Sequence, residues 1–287
     1  MALDPASVLV NAVMSSALYA LIAIGFTLIF GVGGVLNLAH GAVLTIGAFT
    51  AYYVVSVAGL GIWAGALAAI AVPAAFSAAL YLGMIRHVQD EPITVMILTL
   101  VTAIAVEEIV KLFAGTQAAV IPSLVTGTVP VAGGVQANRL LVFVASTLFV
   151  VALFGFVNYT RTGKAILATS MSATGASLVG IESERMYLYT WVLAGAFAGF
   201  AGLLLGSLQT ATWNMGRSPL VLSFSIVVLG GIGSIRGSLV GAYVIGFLET
   251  LTTSYVDSSL SGLAGLVVLV LILLVKPEGL FGREFTE

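Results

Sequence analysis

Long apolar runs recur along the chain, each ended by a small cluster of glycines or charges. No Lys, Arg, Asp or Glu occurs between Asp4 and Arg86. A helix needs roughly 20 apolar residues to cross the hydrocarbon core of a bilayer. This length therefore predicts three crossings, near 7–30, 40–57 and 61–84, parted by the Gly-rich "GVGGVLNLAHG" and by "VAGLG". The opening "MALDPASVLV" lacks a positively charged start, and the apolar run after it exceeds 20 residues, which fits a first span better than a cleaved signal peptide. Beyond the charged break "RHVQDEP" the pattern predicts further spans near 93–113, 139–157, 187–208, 237–256 and 260–275.

Three interruptions differ from simple turns. Residues 114–138 alternate β-branched residues with Gly and Pro, too broken for a helix, and predict a short hairpin in an extracytoplasmic loop. Residues 158–186, "NYTRTGKAILATSMSATGASLVGIESERM", are the longest polar stretch and predict a cytoplasmic loop. Residues 218–237, "SPLVLSFSIVVLGGIGSIRG", are apolar for too few residues to make an ordinary span, so this segment is either a short crossing or re-entrant.

Composition turns this pattern into a class. Sixty per cent of the residues are apolar and 8% charged, against roughly 25% charged in a soluble domain. The expectation is an all-α, polytopic transmembrane bundle of eight or nine segments, two of them Gly-rich discontinuous or re-entrant helices, forming one domain over 1–287. Placing 158–186 inside and counting 218–235 as a crossing puts Arg86, Arg161, Lys164, Arg185, Arg236, Lys276 and Arg283 inside, and Lys111, Arg139 and Arg217 outside. That asymmetry is the one cytoplasmic loops show. The amino terminus is then outside and the carboxy terminus inside, with nine crossings; a re-entrant 218–235 leaves eight.

The formal charge of −2 gives no reason for a nucleic-acid partner, and the absence of cysteine excludes disulfides, thiolate metal sites and cysteine nucleophiles. Gly163-Lys164 is the one Gly-Lys pair, but Ala165 follows it and Asn158 stands where a phosphate-binding loop needs its first glycine. His40 and His87 are far apart and outside any zinc motif. Enzyme chemistry therefore finds no residues in this chain. Transport does: Gly31, Gly33, Gly34 and Gly41 surround Asn37 and His40, and Gly230, Gly231, Gly233 and Gly237 form a second cluster. Irregular backbone at membrane depth is tolerated only beside protein or water, and paired interruptions in two halves of a chain point to a translocation site. Asn37, His40, Gly41 and Glu249 are the candidate pathway residues, with Asn37 and His40 either touching cargo or holding the break open. Glu107 and Lys111 have the spacing of a helical ion pair near the outer end of their span. Trp63, Trp191 and Trp213 are expected as interfacial anchors. An ion-coupled carrier or channel is the other class of reading, but it wants carboxylates near mid-bilayer, where Glu249 is the sole candidate.

Four stretches together resemble the branched-chain amino acid permease family of ABC importers: "ALYALIAIGFTLIFGVGGVLNLAHGAVLTIGAF" (17–49), "TRTGKAILATSMSATGASLVGI" (160–181), "VLGGIGSIRGSLVGAYVIGFLE" (228–249) and "KPEGLFGR" (276–283). They run in the family's order over almost the whole chain. The resemblance implies a multi-pass cell-membrane subunit forming half of the pathway, beside a second, related permease. It also implies two cytoplasmic ATPase subunits, which use the ATP and Mg this chain does not bind, and an external solute-binding protein. The cargo is then a branched-chain or other hydrophobic amino acid, with urea or short amides, carried by close relatives, as the alternative. The 160–181 loop would dock on an ATPase through a short helix from about Lys164 to Met171, broken by "SATG". Its coupling candidates are Gly163, Lys164, Ile166, Leu167, Met171, Leu178 and Gly180, with Ile166, Leu167 and Met171 presented to a groove. Ser172 stands where relatives carry an acidic or Asn-type residue.

Overall fold

The computed structural model describes residues 5–130, 134–276 and 278–281. The first apolar run is one continuous helix, α1 (Pro5–Gly33), and the next begins only after an extended break, as α2 (His40–Tyr52), which runs on through a π-turn to Val57. The helices α3 (Ile62–Gly83), α4 (Pro92–Ala114) and α5 (Ala137–Tyr159) follow, each within a few residues of the expected bounds. The polar stretch forms α6 (Arg161–Met171) and α7 (Ala173–Leu178); then come α8 (Ser183–Leu208), α9 (Arg217–Gly230), α10 (Ile235–Tyr255) and α11 (Leu263–Val275). Between α4 and α5 the expected hairpin is two short antiparallel strands, β1 (Thr128–Val129) and β2 (Val135–Gln136).

Among the described residues, six helices are long and apolar enough to cross a membrane, and α9 with α10, bent by 117° at their junction, raise this to seven if the pair is one span. The chain is an all-α, polytopic bundle. The coupling-loop helix starts three residues earlier than its sequence predicts, because Thr160 Oγ1 accepts from the N–H of Gly163 at 3.0 Å and caps it. The helix ends at Met171 and "SATG" interrupts it at its first residue, Ser172, whose Oγ accepts from Gly175 N–H at 2.9 Å to start α7.

Burial is uneven and defines the centre. The α1 span has 78% of its hydrophobic window buried and α8 has 72%, while α3, α4 and α5 have 33% or less. The central helices touch through glycine. A Cβ on Gly47 of α2 would overlap the carbonyl oxygen of Gly199 in α8, and one on Gly199 would overlap the carbonyl oxygen of Ala69 in α3. Three helices therefore meet main chain to main chain at one level, the small-residue packing that replaces a hydrophobic driving force in lipid. Glycine costs helix propensity at these sites, and the close approach is what it gains. Gly199→Val drives its side chain into the Ala69 carbonyl and Pro73 of α3, and overpacking of this kind costs about 1–3 kcal/mol even where neighbours can give way. The expected outcome is a clear drop in melting temperature and in monodisperse yield in detergent, measured by fluorescence-detected size exclusion; wild-type behaviour would contradict the central packing.

Candidate translocation site

The break between α1 and α2 turns the chain back along α1. His40, the first residue of α2, places Nε2 3.0 Å from the carbonyl oxygen of Ile22, which lies eleven positions before the end of α1, roughly 16 Å of helix. The peptide groups of the break are satisfied locally. Asn37 Oδ1 accepts from Ala39 N–H at 3.0 Å, Asn37 O accepts from His40 N–H at 3.2 Å, and Thr99 Oγ1 of α4 accepts from Leu38 N–H at 3.1 Å. Asn37, His40 and Thr99 are all buried. His40 also packs edge-on against Phe26, with ring centroids 5.7 Å apart. Asn37 Oδ1 and His40 Nε2 thus both meet main chain at the break. Thr99, which sequence reasoning missed, does the same from a neighbouring helix.

The two glycine clusters meet. A Cβ on Gly31, in the last turn of α1, would stand 2.9 Å from the Cα of Gly233, in the bend between α9 and α10. Nearby, Thr27 and Ser238 share a 2.7 Å hydrogen bond across α1 and α10. Gly230 and Gly237 face each other across the bend, and Gly41 faces Gly216 at the start of α9 with equally little room. Gly33 meets only side chains, those of Val35 and Gln89, while Gly34 (φ 66°) and Gly231 (φ 100°) supply the positive φ that each turn requires. Ser234 Oγ caps α10 by accepting from Gly237 N–H at 3.0 Å.

The C-terminal segment closes the bend from below. Leu280 N–H donates to Leu229 O at 2.8 Å and Phe281 N–H donates to Gly230 O at 3.1 Å, satisfying carbonyls that the end of α9 leaves free. A Cβ on Gly279 would stand 2.5 Å from the nitrogen of Gly231. Two of the recognisable sequence elements are thereby one structural unit; Pro277, Gly282 and Arg283 of the terminal element lie outside the described residues.

The charged residues pair differently from their expected spacing. Glu107 does not bond Lys111. It is buried and accepts from Arg217 of α9, with Nη2 to Oε2 at 2.6 Å and Nε to Oε1 at 3.0 Å, while Lys111 pairs with Glu108 at 3.2 Å. The helical spacing suits a pair, but a guanidinium fork from another helix matches a buried carboxylate better than an ammonium on the same face. Trp213 lies between Lys111 and Arg217, 5.1 and 5.2 Å from them. Trp63 is exposed at a helix start, as an anchor would be, whereas Trp191 is only 2% exposed and packs against Tyr81 in the core. It lies two turns inside α8, too deep for an interfacial ring. Glu249 is 4% exposed and does not join Asn37 and His40. It lies eleven positions after Ser238 in α10, roughly 16 Å further along the helix, where Oε1 accepts from the N–H of Gly262 just before α11. In the loop between, the Ser259 hydroxyl and backbone N–H hold the Asp257 carboxyl below the usual carboxylate range, so it stays ionised there.

In the polar loop, Gly163 packs on the backbone of Phe156 and Val157, and Ile166 is 3% exposed. Both serve the chain's own fold, so Ile166 is not presented to a partner groove, since the α6 stripe that carries it and Thr169 faces the bundle. Lys164, Leu167, Met171, Leu178 and Gly180 are exposed, and Val179, missed in the sequence, is exposed beside them.

A family profile described as branched-chain amino acid transport system, permease component, matches residues 8–276. The chain belongs to this permease family. It is similar to the high-affinity branched-chain amino acid transport system permease protein LivH of Escherichia coli K12, 30% identical over 293 residues that cover 96% of this chain and 95% of LivH. The permease protein BraD of Pseudomonas aeruginosa is 29% identical over 297 residues, 97% of this chain and 96% of BraD. LivM of Escherichia coli K12, also a high-affinity branched-chain amino acid transport system permease protein, is 32% identical over 146 residues, 49% of this chain and 33% of LivM. No solved structure matches the chain. This permease is a multi-pass membrane subunit of an ABC importer and not itself an enzyme.

If Asn37 and His40 hold the break, Asn37→Ala and His40→Ala each lower thermal stability, by about 1 kcal/mol for a lost hydrogen bond, and transport falls only as folded protein is lost. Transport abolished at full stability would place them on cargo instead. Gly279→Val drives the C-terminal segment off Gly231 and is expected to lower the melting temperature in detergent, an effect that truncation after Lys276 reproduces.

Proposed function

We propose that the chain forms one half of the translocation pathway of an ATP-driven importer for branched-chain, hydrophobic amino acids. It pairs with a second, related permease, is driven by two cytoplasmic ATPase subunits that use ATP and Mg, and takes cargo from an external solute-binding protein. The observation that carries this reading is the full-length likeness to LivH and BraD, both named for high-affinity branched-chain amino acid transport. Partial likeness to LivM, a differently named permease protein of one of the same organisms, supports a pair of unlike permeases.

In this reading the pathway lies by the paired breaks, with nine membrane segments. The α9–α10 unit counts as two short crossings, because its start is held by Glu107 near the end of α4 and its bend by the C-terminal segment at the other end of α9. The coupling surface is the exposed side of α6 and α7: Lys164, Leu167, Met171, Leu178, Val179 and Gly180. Exposed Leu and Val in a polar loop are what a helix-in-groove contact needs. Gly180 has φ 83°, so it fixes how the loop turns back to α8.

Reconstitution of all subunits in liposomes tests the function. Saturable uptake of leucine, isoleucine or valine, with cargo-stimulated ATP hydrolysis that needs every subunit, is the expected result. Uptake by this chain alone, or of urea and short amides in place of amino acids, would sink it. For coupling, Leu178→Glu is expected to abolish co-purification of the ATPases while the chain stays folded, whereas Ile166→Glu unfolds the loop itself. Leu178→Glu with normal assembly and uptake would remove α7 from the coupling surface.

A further inference from the structure

A furrow of about 470 Å³ opens on the side of the bundle between α5 and α10, with α1 as its floor, within the size range of small-molecule sites. Ala17 and Ala20 make the floor deep, Val151 and Phe154 stand on the α5 side, and Val240 and Val244 on the α10 side. Two lining residues carry a polar group, Thr147 and Tyr243, and the Thr147 hydroxyl donates to the carbonyl oxygen of Phe143 in its own helix at 2.8 Å. Val151, Val240 and Val244 are exposed, so the furrow opens outward from spanning helices. What fills it there is apolar, and the bilayer supplies hydrocarbon chains.

The two walls end in cations at the same end of the bundle. Arg139 near the start of α5 donates to Asn11 near the start of α1 at 2.8 Å, so these helices run in parallel. Gly31 at the end of α1 meets Gly233 just before α10, which runs back. The end of α5 and the start of α10 therefore share the end where Arg86, Arg161, Lys164, Arg185 and Arg236 lie, the cytoplasmic end by that asymmetry. Arg161 follows α5 seven positions after Phe154, and Arg236 is the second residue of α10, four before Val240. That spacing puts Arg236 on the face of α10 that carries Val240 and Tyr243. Both arginines are exposed. Among the described residues neither has an ion pair or a side-chain hydrogen bond, whereas Arg86, Arg139, Arg185 and Arg217 each have a partner.

We propose that the furrow holds an acyl chain of an anionic phospholipid of the cytoplasmic leaflet, with its phosphate bonded by Arg161 and Arg236. Side chains lean toward the start of their helix, which carries the Arg236 guanidinium to headgroup level. Two unpaired guanidiniums favour a headgroup of net negative charge, because a choline headgroup brings its own cation to the site. The chain in the furrow supplies the van der Waals contacts that two alanines leave unmade. This site does not depend on which cargo the permease carries.

The chain contains no cysteine, so Val151→Cys at the furrow takes a single bimane label, and Ile104→Cys on the exposed side of α4 serves as the control. The full-length labelled chain, in phosphatidylcholine nanodiscs, is titrated with phospholipid bearing a nitroxide in its acyl chain, which quenches bimane at contact. Half-maximal quenching at Val151→Cys is expected at about tenfold lower mole fraction for nitroxide phosphatidylglycerol than for nitroxide phosphatidylcholine, with equal mole fractions at Ile104→Cys. Arg161→Gln with Arg236→Gln removes the preference, and lysine at both positions retains it, which separates lost charge from lost fold. Equal quenching by the two lipids at Val151→Cys, the same preference at Ile104→Cys, or a preference kept in the double glutamine variant overturns the lipid site. Loss of the preference once a second permease is assembled with this chain also overturns it, by giving the furrow to a protein partner.

Discussion

Where α2, α8 and α3 cross, the distance between them is set by carbonyl oxygens and not by side chains. Gly47 faces Gly199, and Gly199 faces Ala69, with no space for a Cβ on either glycine. In a membrane this contact carries unusual weight. Lipid tails are as apolar as leucine, so burying leucine gains little between helices, and cohesion comes from close van der Waals contact. The same device recurs at Gly41 with Gly216, Gly31 with Gly233 and Gly246 with Ser16. Main-chain proximity then makes irregular backbone possible, because a break packed against another backbone is shielded from lipid.

The two breaks solve one problem with different means. Backbone groups freed by interrupting a helix must find partners where water does not reach. At the first break the partners are side chains from Asn37 and Thr99 together with a local turn. At the second they are Ser234, which starts α10, and the C-terminal segment, which supplies N–H groups to the last carbonyls of α9. Because Gly31 touches Gly233, each break is part of the other's shielding.

Local pattern gave the helices, the hairpin and the glycine clusters within a few residues, since span length and turn chemistry are properties of neighbouring positions. It could not give partners distant in the chain. Glu107 and Lys111 had the right spacing to bond, but Arg217, 110 positions away, presents the better geometry. Trp191 looked like an interfacial ring because its depth depends on where α8 begins, and α8 begins at Ser183, which places the ring in the core. Ile166 and Leu167 are adjacent and equally apolar, and only the register of α6 against the bundle turns the first inward and the second out. Thr99 carried no signal at all: a threonine in an apolar helix bonds its own backbone by default, as Thr102 does one turn later.

The distribution of polar groups also bears on where cargo can pass. At the centre, Thr27 bonds Ser238, Asn37 Oδ1 and Thr99 Oγ1 accept main-chain N–H groups, and His40 Nε2 meets the Ile22 carbonyl. A cavity lined by serines and aliphatic side chains lies at the seam of α9 and α11. A chain whose two breaks pack on each other offers cargo a wall and not a tube, and a wall needs a facing surface before it can exclude lipid. That requirement, and not the lack of a nucleotide-binding loop alone, is the physical reason to read this permease as half of a pathway.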